Sequence, residues 1–205
     1  MTEADFAAWA AEWRTPPAPV VPVPAMTLVG SGGSLRGARV MIGLPGHGWR
    51  TELRGDAIIR QGARSLVPVL AEAEWYRAER ERVEVFAALV PVERVWVETI
   101  STAAERAAGP VDSLVLVSLD APPTRGALPA EILASQATGQ LTGRRLVQTG
   151  NDGEQRGLRA VTEAHLGTAG SPQVRVAQES EWYRWAATGQ APATRAVPLA
   201  ELWLE

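Results

Sequence analysis

Short stretches of alternating apolar and polar residues recur along this chain, and turn-forming residues punctuate them. Arg39-Val40-Met41-Ile42, Trp49 to Leu53, Leu66-Val67-Pro68-Val69-Leu70, Val83-Glu84-Val85-Phe86 and Val92 to Val97 each read as a short strand. Pro68 cannot donate to a ladder, so its strand is expected at an edge or a bulge. Gly43 to Gly48 reads as a turn-rich loop. Outside these strands the pattern changes. Thr2-Glu3-Ala4-Asp5 reads as a capping box opening a helix to about Arg14, with Phe6, Trp9 and Trp13 on one face. Thr15 to Ala25 holds five prolines and predicts an extended, polyproline-like arm without internal hydrogen bonds. Further along, Thr102 to Glu105 opens a short helix that Gly109-Pro110 terminates. Ser113 to Leu119 reads as a buried strand, and a second short helix starts at Pro129 and ends before Gly139.

The strand pattern occurs twice. Val67, Val69, Glu72 and Glu74-Trp75-Tyr76-Arg77 recur as Val174, Val176, Glu179 and Glu181-Trp182-Tyr183-Arg184. Val90-Pro91, Trp96 and Glu98 recur as Val197-Pro198, Trp203 and Glu205, and 182 − 75 = 203 − 96 = 107. With one residue of slippage, Leu35, Gly37 and Arg39 answer Leu141, Gly143 and Arg145. Self-similarity at fixed register implies one duplicated folding unit. The expected organisation is an N-terminal helix and Pro-rich arm (1–27), a first β-repeat (28–100), a mixed α/β connector (101–137) and a second β-repeat (138–205).

Composition narrows the function classes. The chain lacks cysteine, which excludes disulfides and thiolate metal sites. All twenty basic residues are Arg, a bias of high-GC coding that suggests an actinobacterium-like or phage source. A net charge of −3 gives no overall basic footprint for nucleic acid. The start of the chain does not read as a signal peptide, and no apolar run approaches membrane-spanning length, so a cytoplasmic (or virion) protein is expected. The two histidines, His47 and His165, fall at non-equivalent repeat positions, and neither sits in a metal-ligating or nucleophile-activating pattern. The Gly43–Gly48 loop lacks the Lys-Ser/Thr of a phosphate-binding loop. Catalytic residues, cofactor and metal are therefore all expected to be none.

The rhythm Gly-x-Arg-Val, a Gly loop, an aromatic-Arg strand, a Val-x-Val strand and a closing Val-Pro…Trp segment resembles the SH3-like small-barrel superfamily of the Tudor and KOW kind. The resemblance covers each repeat but neither the N-terminal helix nor the middle segment. It implies a mainly β fold with short helices, two tandem SH3-like barrels related by the offset of 107, and a role in binding rather than catalysis. The repeated Trp75, Tyr76, Trp182 and Tyr183, with Trp185, could form aromatic platforms, and Arg77 and Arg184 could pair with a carboxylate or phosphate. On the structural reading, one aromatic of each pair enters the core, and Glu74 and Glu181 pair with the arginines or cap a turn. Trp96 and Trp203 are read as core. Residues 78–82 are charged where 185–189 are apolar, which implies hairpin tips facing different neighbours. Phe6, Trp9 and Trp13 complete the candidate partner-binding set. The expected function is a non-enzymatic structural or adaptor protein that binds other proteins, as part of a larger assembly such as a phage particle. Nucleic-acid binding through the Trp-Tyr-Arg strands, or occlusion of one partner as an inhibitor, are the alternatives.

Overall fold

The computed structural model describes residues 14–44, 48–101, 121–150, 153–167 and 170–205. The expected N-terminal helix with Phe6, Trp9 and Trp13, the loop residue His47, the expected short helix from Thr102 to Gly109 and the segment Ser113 to Leu119 lie outside the described residues. The described residues fall into two compact units, one within Pro19–Arg125 and one formed by Met1–Ala18 with Gly126–Glu205. Each is mainly β, with one antiparallel sheet and short helices.

The first unit contains β1 (Val20–Pro24), α1 (Ala25–Gly30), β2 (Arg39–Leu44), β3 (Gly48–Gly55), β4 (Ile59–Gln61) and β5 (Arg64–Ala71). These are followed by α2 (Glu72–Glu81), β6 (Ala88–Pro91), a 3-10 turn (Val92–Arg94) and β7 (Val95–Ile100). The strand order is β1-β7-β2-β3-β5-β4, with β6 also on β5. The second unit contains β8 (Leu128–Pro129), α3 (Ala130–Ala134), β9 (Arg145–Gly150), β10 (Gly153–Ala160), β11 (His165–Leu166) and β12 (Pro172–Gln178). Then come α4 (Glu179–Thr188), β13 (Arg195–Pro198), a 3-10 turn (Leu199–Glu201) and β14 (Leu202–Leu204). Its order is β11-β12-β10-β9-β14-β8, with β13 also on β12.

One face of each sheet closes over a Val- and Leu-rich core. Val40, Leu53, Val67, Val69, Val95 and Val97 serve the first unit. Leu146, Leu158, Val174, Val176, Val197 and Leu202 serve the second. Burying each such side chain contributes about 1.5–3 kcal/mol. Trp96 and Trp203 are buried, yet alternation turns them to the face opposite Val95, Val97 and Leu202. There Trp49 packs edge-on against Trp96 at 6.0 Å, and the Arg14 guanidinium lies 5.2 Å over the Trp203 ring.

Four sequence expectations change. The Pro-rich arm is not polyproline-like throughout, because Val20–Pro24 pairs antiparallel with β7 from Val20↔Ile100 to Pro24↔Trp96. Likewise Leu128–Pro129, expected in the connector, pairs with β14. Residues 83–87 form no strand, and the ladder begins at Ala88. The Trp-Tyr-Arg triplets lie on helices, not strands, so residues 78–82 and 185–189 follow the helical course to the C-terminal ends of α2 and α4 rather than forming hairpin tips. Helix wins there because the Ala-, Glu- and Arg-rich run favours it and two glutamates in each first turn suit the helix dipole.

Pro68 sits in an interior strand, and the sheet accommodates it locally. The ladder from β5 to β3 ends at Gly55↔Val69 and resumes with β4 at Leu66↔Ile59, so the absent N–H falls at this break. The Asp56 amide donates to the Pro68 carbonyl there at 2.9 Å. In the second unit Val161 donates to Arg175 at 2.8 Å, and the N–H that Arg175 retains is accepted by the Thr162 hydroxyl at 3.1 Å.

Prolines also blunt the outer strands. Val20 exchanges both backbone hydrogen bonds with Arg125, so its polar groups face away from β7. Alternation turns Pro22 and Pro24 to the same side, where neither offers an N–H. By the same reasoning Leu89 alone presents a backbone donor on the outer side of β6, because Pro91 follows it at the next outward position. Ala196 and Pro198 repeat this on β13.

Only two described non-glycine residues have positive φ, Glu52 at 59° and Arg82 at 54°. Glu52 lies where the β2–β3 register shifts, and Gly157, at φ 73°, lies at the matching shift between β9 and β10. Arg82 ends α2 in the left-handed conformation that Gly189 adopts after α4. The first unit therefore holds side chains where the second uses glycine. Arg82→Gly is expected to stabilise the chain by about 1 kcal/mol and Gly189→Arg to destabilise it by a similar amount, read by urea denaturation.

Candidate docking site

Helices α2 and α4 are each pinned to their sheet by a buried carboxylate between two arginines. Glu72, only 1% exposed, opens α2, and its Oε1 lies 3.4 Å from Arg39 Nε on β2 and 3.1 Å from Arg54 Nε on β3. Glu179, 2% exposed, opens α4 with the same oxygen 3.4 Å from Arg145 Nε and 3.0 Å from Arg159 Nε. The inner arginine also bonds the loop and the helix. Arg54 donates to the Gly37 carbonyl and the Tyr76 hydroxyl, each at 2.9 Å, and Arg159 donates to the Gly143 carbonyl and the Tyr183 hydroxyl, each at 2.9 Å. Its guanidinium lies 5.3 Å from the Tyr76 ring in one unit and from the Tyr183 ring in the other. Trp75 and Trp182 back these networks, their rings 3.4 and 3.5 Å from where a Cβ on Gly37 or Gly143 would stand. Burying such a cluster requires that every charge be answered, and here it is a structural clamp.

These contacts reassign the sequence-predicted residues. Tyr76 and Tyr183 are half-buried clamp members. Arg77 pairs with Glu74 at 2.9 Å and Arg184 with Glu181 at 2.5 Å, both one turn apart on their own helix, as the structural reading expected. Trp182 meets Tyr183 edge-on at 5.1 Å, and its ring also lies 5.3 Å from the Arg159 guanidinium. The triplets thus do not assemble an aromatic platform with free arginines. Trp185 is half-buried at the C-terminal half of α4. His165 sits exposed on β11, its Nδ1 3.2 Å from the Glu163 carbonyl. No group of three or more His, Cys, Asp or Glu able to hold a metal occurs among the described residues.

Trp75 has a second role. With Ile59, Pro68, Leu70, Phe86 and Leu89 it lines an open groove of about 880 Å³ on the first unit. The groove follows from β5, whose Leu66-Val67-Pro68-Val69-Leu70 run is apolar on both faces. Val67 and Val69 point into the core, while Pro68 and Leu70 point outward. In the second unit β12 reads Gln173-Val174-Arg175-Val176, with polar residues outward. The segment after the helix differs in the same sense: Val83, Phe86 and Leu89 of the first unit are Gln190, Ala193 and Ala196 in the second, at the offset of 107. Phe86 is fully exposed, and Ile59, Val83 and Leu89 are each more than 40% exposed. Such a cluster is distinct from apolar residues scattered singly over a surface. Sequence reading took the two features that signal it, the five-residue apolar run and Phe86, for ordinary strands.

The two units also differ at the corner beside the groove. Arg36 and Asp56 form a loose pair at 4.0 Å. The second unit instead uses Glu163, whose carboxylate accepts from the Leu141 and Thr142 amides at 2.9 and 3.0 Å and from the Thr142 hydroxyl at 2.6 Å. Partial burial acts to raise the Glu163 pKa, but the hydroxyl and the two amides outweigh it and hold the carboxyl below its ordinary 4.5. No family model, no curated protein and no solved structure matches this chain.

Glu72→Gln, which removes the carboxylate shared by two half-buried guanidinium groups, is expected to cost about 3 kcal/mol by urea denaturation. The Glu163 contribution has the sign of a depressed acid. It is complete above pH 4.5 and is lost as pH falls through the lower folded-state value. Glu163→Gln should therefore flatten the acid limb of the stability–pH profile below pH 4.5, measured by thermal midpoints against the parent.

Proposed function

We propose that this chain is a non-enzymatic, protein-binding structural or adaptor protein, built from two tandem SH3-like small barrels, whose first unit carries the docking groove. The barrel reading is supported by the neighbour order β7-β2-β3-β5-β6, in which a 3-10 turn after β6 returns β7 to the side of β2. The second unit has the order β14-β9-β10-β12-β13 with the same turn. The repeat reading is supported by clamps built from the same residue types at sequence offsets between 105 and 107, as in Arg54 and Arg159 or Glu72 and Glu179.

The observation that carries the functional reading is a fully exposed Phe86 beside an apolar outer sheet face, in a unit whose counterpart has Ala193 in place of Phe86, Ala196 in place of Leu89 and Arg175 in place of Pro68. Protein-contact hot spots are enriched in large aromatic side chains, and an exposed phenylalanine has no folding benefit to explain it. Engagement of Arg77 and Arg184 with their own helix glutamates, together with the net charge of −3, weighs against the nucleic-acid alternative. Membership of a larger assembly fits a module with one divergent face per unit.

Affinity capture from the source lysate, comparing the parent with Phe86→Asp at equal folded concentration, tests this reading. Proteins held by the parent should fall about tenfold or more with the variant, since hot-spot loss costs about 2 kcal/mol. Equal retention by both proteins, or capture that vanishes after nuclease treatment, would overturn it.

A further inference from the structure

Resting on that docking reading, we infer that the groove takes a short basic–apolar segment of a partner protein, a bulky apolar side chain flanked by Lys or Arg. Four charged side chains line the groove: Arg36, Asp56, Glu79 and Glu84. Arg36 is answered by Asp56 at 4.0 Å, which leaves the two glutamates to set the local sign. Both are exposed, and neither has a hydrogen-bond or ion-pair partner among the described residues. Arg82, between them in sequence, does not line the groove.

An apolar cleft edged by two unanswered carboxylates favours cationic ligands by complementarity, and this acts on encounter rate and on partner choice. The backbone adds one further feature. Leu89 lines the groove and presents the lone outward N–H and C=O pair of β6 before Pro91, so an extended segment gains one pair of backbone hydrogen bonds. With the ladder halted there, side chains must supply the rest of the affinity. The N-terminal segment of a second copy of this chain has the wrong sign, since Glu3, Asp5 and Glu12 accompany Phe6, Trp9 and Trp13 in sequence against the single Arg14.

Selection of displayed short random peptides on the immobilised full-length chain tests the inference. The enriched pool should combine a large apolar residue with net positive charge, and its binding should fall about tenfold on Phe86→Ser. Selection on the double variant Glu79→Arg, Glu84→Arg should yield acidic peptides instead. A pool that requires Phe86 but is neutral or acidic, and is indifferent to the charge reversal, would overturn the basic-partner inference and leave the docking groove standing. No enrichment, or a pool indifferent to Phe86, would overturn the docking reading itself. The thermal midpoint of Phe86→Ser should equal the parent's, because the ring is fully exposed.

Discussion

Everything distinctive about the two units hangs on a carboxylate placed out of water between two arginines. Glu72 and Glu179 each stand at the first residue of a helix, so the ion cluster fixes where the helix begins and which way it leaves the sheet. Such clusters are costly to bury and are weak evidence for net stability, but they tolerate few alternative arrangements. A glutamate one turn along the helix could not reach both Arg39 and Arg54. The clamp therefore positions Trp75, and with it one wall of the groove.

With the helix so fixed, the two units differ on the outer face of the sheet while their cores carry similar residues. Val67 and Val69 match Val174 and Val176 facing inward, while Pro68 and Leu70 at the alternate positions are replaced by Arg175 and Ala177. Core positions are held by packing, whereas outward positions are free to follow function. The strained backbone at Arg82, relaxed to glycine in the second unit, lies on the segment leading from α2 to Phe86. Prolines at Pro22, Pro24, Pro91 and Pro198 limit strand pairing at the edges.

Several of these features are present in the sequence as repeated letters. Glu72, Tyr76, Arg39 and Gly37 all recur in the second copy, and all prove to be clamp residues. Arg54 and Arg159 escaped notice because the offset there is 105, the register having slipped across the loops between strands. The Trp-Tyr-Arg triplets drew attention as an aromatic surface, yet Tyr76 and Tyr183 turned out to serve the clamp. The contrast between Leu66–Leu70 and Gln173–Ala177 was also in view, and its meaning depended on knowing which side of β5 is solvent.

By itself the sequence determined the mainly β character, much of the strand pattern and the inward-facing residues, because period-two patterning is a local property. It could not determine whether Val20–Pro24 is a free arm or a strand, since proline imposes nearly the same φ in both. Only the presence of β7 alongside decided that. The partners of Glu72 and Glu179 were likewise tertiary decisions, because a buried charge selects its counter-charges by distance in space. Sequence separation, 33 residues from Arg39 to Glu72 (72 − 39), carries no such information.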